Sequence, residues 1–62
     1  MEYRILIKTL RERLVMSQSE FAELLGVSFT SVNRWENGHN EPTFKVKRKI
    51  LKLCNDNGIE VK

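Results

Sequence analysis

The stretch Leu25-Gly26-Val27-Ser28 constrains this chain more than any other part of it. Before it, Phe21, Ala22 and Leu25 fall on one face of a helix; after it, Val32 and Trp35 do the same. Two helical patterns therefore meet within a few residues, with one glycine at the bend. Glycine adopts left-handed backbone without the penalty a Cβ brings, which suits the closing residue of a helix. Ser28 is placed to cap the helix that follows. The chain must turn a tight corner here, with one short helix braced against the next.

The remaining punctuation is helical as well. Tyr3, Ile7, Leu10 and Leu14 recur at helical spacing and predict a first helix over Glu2 to Leu14. Ser17 followed three residues later by Glu20 reads as a capping box, so a second helix runs Gln18 to Leu25, with Met16 packing on Phe21 as a hydrophobic staple. The third runs Phe29 to Asn37 and is closed by Asn37-Gly38. His39-Asn40-Glu41-Pro42 is a loop. Thr43 is placed to cap a last helix, Phe44 to about Asn57, whose apolar set is Phe44, Val46, Ile50, Leu51, Leu53 and Cys54. Gly58 stops it, with Ile59 making the apolar contact that closes the end. The tail is too short to pair as a strand on its own. The expected fold is all-α: a compact bundle of four to five short helices forming a single domain over residues 1–62.

Size and charge narrow the function. A chain of 62 residues buries only about 60% of its unfolded surface. That leaves little room for an enzyme pocket, which takes ~300 Å³ or more. His39 and Cys54 are the lone histidine and cysteine, too few for a metal site of three or four such ligands. No nucleophile–base set, catalytic carboxylate pair or phosphate-cradling glycine loop can be assembled. The chain is expected to be no enzyme and to need no cofactor or metal. A single cysteine suits the reducing cytoplasm, and the short apolar runs predict neither a membrane span nor a secretory signal. The net charge of +3 is unevenly spread. Residues 1–16 hold four basic and two acidic side chains, residues 17–41 one and four, and residues 42–62 six and two. Basic ends of this kind suit a polyanion, and equally a solvated helix face.

A corner of two helices with a glycine at the bend is the helix-turn-helix unit. Its second helix is the rod that enters a DNA major groove, about 12 Å wide. Such a rod needs an apolar inner face and a hydrogen-bonding outer one. The third helix offers Val32 and Trp35 inside and Thr30, Asn33, Arg34 and Asn37 outside.

On these residues the run LRERLVMSQSEFAELLGVSFTSVNRWENGHNEPT resembles the Cro/C1-type (XRE, lambda-repressor-like) helix-turn-helix family. Leu10-Arg11, Ser17-Gln18, Leu25-Gly26-Val27-Ser28, Val32, Trp35-Glu36, Asn37-Gly38 and Pro42 carry the resemblance, which covers roughly residues 5–54. It implies a compact all-α domain that binds operator DNA, commonly as a two-fold dimer. By this resemblance Phe29, Thr30, Asn33 and Arg34 take base-facing positions. Arg34 would grip guanine through O6 and N7, Asn33 would pair with adenine, and Phe29 and the Thr30 methyl would meet a thymine methyl. Gln18, Asn37, Thr43 and Lys45 would contact phosphates. Arg11 and Glu36 would form an ion pair tying the first helix to the third. Lys47, Arg48, Lys49 and Lys52 read as solvated. Val15 stands where the family usually has glycine, so the turn there is expected to differ, and Leu24 is apolar where the family is usually polar.

The expected function is a sequence-specific double-stranded DNA-binding regulator, a repressor acting by operator occlusion as a homodimer on a palindrome. Leu24, the last helix, Ile59 and Val61 are the candidates for a dimer surface. Two other readings stay open: an antitoxin or adaptor whose main ligand is a partner protein, and the DNA-targeting module of a larger protein.

Overall fold

A computed structural model describes residues 2–60. Val61, one candidate for a dimer surface, lies outside them. The described residues form four helices and no strand: α1 (Tyr3–Arg13), α2 (Gln18–Leu25), α3 (Phe29–Glu36) and α4 (Phe44–Asp56). The fold is the all-α bundle expected, at the lower of its two helix counts.

Each helix starts and stops for local reasons. At the head of α2 the Ser17 hydroxyl accepts from the Glu20 N–H at 3.1 Å, and the Glu20 carboxylate accepts from the Ser17 N–H at 2.9 Å. These reciprocal bonds satisfy two amides that the helix leaves unpaired. They also hold the exposed Glu20 carboxyl below its usual range, the bond from the Ser17 backbone first. α2 closes at Gly26, φ 73°, where the Val27 N–H returns to the Ala22 carbonyl at 2.9 Å. The Ser28 hydroxyl then accepts from the Ser31 N–H at 3.2 Å and starts α3.

The corner after α1 differs from expectation. Val15 adopts φ 55°, the left-handed conformation a glycine would take. The Met16 N–H still reaches the Arg11 carbonyl at 3.1 Å, so the turn is kept and the valine bears the strain. Its side chain is 88% exposed, so little packing compensates.

Thr43 stands at the N-cap position of α4, but its side chain makes no capping bond. The buried Pro42 fixes the entry to the helix instead. Phe44, assigned above to the apolar set of α4, is 79% exposed. Val46, Ile50 and Cys54, four residues apart, define the buried stripe, and Phe44 lies about 200° around the helix from Val46. Lys47 and Lys49 are not simply solvated. Lys47 pairs with Glu41 at 2.9 Å and lies 4.8 Å from the centre of the Tyr3 ring. Lys49 donates to the Leu25 carbonyl at 3.3 Å, which ties α4 to the open end of α2.

The core is a single cluster to which every helix contributes. Ile7 and Leu10 of α1, Phe21 of α2, Val32 of α3, and Ile50 and Cys54 of α4 are fully enclosed. Leu6, absent from the face read off α1, joins them, and burial pushes the Cys54 thiol pKa up. No helix among the described residues is long and apolar enough to cross a membrane.

Candidate nucleic-acid interface

α3 is held from beneath by Val32, fully buried, and Trp35, 6% exposed, which pack into the same cluster as Phe21, Ala22 and Leu25 of α2. The indole therefore serves as packing and offers no open stacking face. On the other side of α3, Phe29 is half exposed and Thr30 and Arg34 are exposed. Arg34 has no ion-pair partner among the described residues, so its guanidinium is free to take an acceptor from outside. The apolar inner face and polar outer face of α3 thus coexist on eight residues.

Arg11 and Glu36 meet through two parallel hydrogen bonds, Nε to Oε2 at 2.7 Å and Nη2 to Oε1 at 3.0 Å. Such forked pairs are strong and directional. The side chains are only 17% and 7% exposed. Arg11 also donates through Nη1 to the Met16 carbonyl at 3.0 Å, so one guanidinium clamps the corner after α1 and anchors α3. Burial alone would push the Glu36 carboxyl up. The bonds from Arg11 and Gln18 and the Arg11 charge more than offset that and hold it below the usual carboxylate range. The Glu36 bond in turn keeps Arg11 more firmly protonated.

From Glu36 a line of amides runs to the surface. Gln18 Nε2 donates to Glu36 Oε1 at 3.2 Å, Asn33 Nδ2 donates to Gln18 Oε1 at 3.3 Å, and Asn37 Nδ2 donates to Asn33 Oδ1 at 3.1 Å. Gln18 and Asn33 are half-buried and Asn37 is exposed. Asn33 therefore differs from its neighbours Thr30 and Arg34, because its amide is already engaged at both ends. Helical counting puts Asn33 outside. It misses the amide line because Gln18 reaches across from α2, although the four-residue spacing of Asn33 and Asn37 was a readable sign of one link.

Thr43 and Lys45 are exposed at the start of α4 and take no part in this line. Leu24, 46% exposed, borders a shallow hollow of about 320 Å³ with Leu53, Lys49, Lys52 and Asp56. Among the described residues no cluster of His, Cys, Asp or Glu could hold a metal ion.

A family model described as helix-turn-helix matches residues 7–56, from within α1 to the end of α4. The Type II methyltransferase M.SsoII of Shigella sonnei is 50% identical over 40 residues, which is 60% of this chain and 11% of that protein. The chain thus spans about a tenth of the length of that relative. No solved structure matches.

Proposed function

The chain belongs to the Cro/C1-type helix-turn-helix family of DNA-binding domains, and from that premise we propose that it reads a specific double-stranded DNA sequence and represses transcription by occluding it. The observation that carries this reading is the outer row of α3. Phe29, Thr30 and Arg34 stand exposed on a helix whose opposite face is locked into the core, and Arg34 has no ion-pair partner among the described residues. Arg34 contacts guanine through O6 and N7, and Phe29 and Thr30 offer apolar atoms to thymine methyls. Gln18, Asn37, Thr43 and Lys45 supply phosphate contacts, which give affinity and register without reading sequence. Two copies on a palindrome, one helical turn apart, form the functional unit in the cytoplasm. The domain acts by binding, with no chemistry of its own.

The similarity to part of a methyltransferase favours a second reading, in which this domain targets a larger protein to DNA. Repression would then depend on what the domain is joined to.

Selection from a random double-stranded DNA pool at ~150 mM salt, where non-specific binding is weakened, tests the shared core of both readings. The expected outcome is an enriched palindrome, and Arg34→Ala is expected to relax preference at one base pair by about 1–3 kcal/mol. Failure to enrich any sequence would overturn sequence-specific binding and turn attention to a protein partner at the Leu24 hollow.

A further inference from the structure

We propose that Asn33 is a positioning residue and not a base reader: it links Gln18 to Asn37 and, through them, sets two phosphate-contacting amides in one fixed orientation. The inference rests on the DNA-binding reading above and concerns how the same surface is organised.

A carboxylate can only accept hydrogen bonds, and an amide has one accepting and one donating end. Glu36 lies inside, ion-paired with Arg11, and accepts from Gln18. That contact decides which way round the Gln18 amide sits, with nitrogen towards Glu36 and oxygen towards Asn33. The Gln18 oxygen then requires a donor, so Asn33 turns its nitrogen inward and its oxygen towards Asn37. Asn37 completes the series by donating. Three amides, on α2, on α3 and at the residue that closes α3, are thus oriented head to tail by one carboxylate.

Two consequences follow. Pairing with adenine demands that Asn33 donate to N7 and accept from N6 with the two ends of one amide. One N–H and one lone pair of its oxygen are already committed inside the protein, so the half-buried amide is held towards Gln18 and Asn37, and turning it flat onto an adenine edge would disturb both bonds. Each amide nitrogen in the series has two N–H groups, and one of them is used internally. The second N–H on Gln18 and on Asn37 remains for an outside acceptor. Phosphate oxygens are acceptors only, so the orientation imposed by Glu36 is the one that suits a nucleic-acid backbone.

The test combines the free protein with DNA binding. In the free protein, the side-chain NH₂ resonances of Gln18 are followed by NMR in wild type and Asn33→Ala, with melting temperature as a control for folding. Asn33→Ala is expected to shift the Gln18 NH₂ signals. Affinity for the selected DNA, for its single-base variants and for unrelated DNA is then measured for wild type, Asn33→Ala, Gln18→Ala and the double variant. Asn33→Ala is expected to weaken binding to all of these about three- to tenfold, the scale of one hydrogen bond, with the order of base preferences unchanged. In the Gln18→Ala background the same substitution is expected to cost much less than it does alone, because its partner is already gone. A purely structural role would lower the melting temperature without this coupling in affinity.

An altered preference at one base pair, or full additivity with Gln18→Ala, would overturn the proposal while leaving DNA recognition intact. Unmoved Gln18 signals would overturn it from the free protein alone. If wild type binds no DNA, the functional reading fails and the positioning role falls with it, whatever the NMR arm shows.

Discussion

Val15 holds a left-handed backbone with a β-branched side chain almost wholly in solvent. For a non-glycine residue that conformation costs about 1–2 kcal/mol. Val15→Gly relieves it, and part of the gain is offset by the greater freedom glycine has in the unfolded chain. The expected net effect is a stabilisation of about 1 kcal/mol, seen as a melting temperature higher by ~4–8 °C. A lower melting temperature would show that the valine contributes contacts worth more than its strain. The sequence reveals that a valine stands at this corner, and it gives no sign that the corner persists around it. What keeps the turn is side-chain contact that backbone preference does not reveal: Met16 packs against the core and Arg11 bonds to its carbonyl from α1. Asn33 was hidden for a similar reason. Its helical phase points outward, while the partner that draws it in lies fifteen residues away in sequence.

Elements were the most legible level. The capping box at Ser17, the glycine closure of α2 and the Ser28 cap depend on residues within a turn of one another, so short-range pattern suffices. The surroundings of Phe44 and Lys47 are not legible in this way, because they come from other elements or from the phase of a stripe fixed further along α4. The join between α1 and α3 makes its own prediction. Glu36 is held below the usual carboxylate range in the folded protein, so folding favours its ionised form. Its contribution is fully present above the unfolded value of about 4.3 and is lost as pH falls through the folded one. Denaturant unfolding of wild type between pH 7 and pH 3 is expected to show this loss, and Glu36→Gln is expected to remove that part of the pH dependence. At neutral pH the same substitution is expected to cost about 2–3 kcal/mol, because Arg11 stays desolvated without its counter-charge. Equal stability of the two proteins at pH 7 would contradict the role given to the pair.

At the scale of the whole molecule, charge and topology act together. Basic residues concentrate in the stretches that form α1 and α4, while α2 and α3 hold three acidic side chains, Glu20, Glu23 and Glu36, against the single basic Arg34. Lys45 is exposed near the start of α4, and under the proposed function it meets phosphate rather than a base. Lys45→Ala is expected to weaken binding to all DNA sequences alike and to reduce the slope of log affinity against log salt by about one. A change confined to one sequence would reassign Lys45 to base recognition. Arg11 carries the last consequence. Its guanidinium grips both the Met16 carbonyl and Glu36, so the corner after α1 and the end of α3 share one fastening. Neither can open by itself while that fastening holds, and in native-state hydrogen exchange the Met16 and Asn37 amides are expected to exchange with the same opening free energy. Arg11→Lys keeps the charge and gives up the fork, so the two amides are expected to part company and exchange at their own rates.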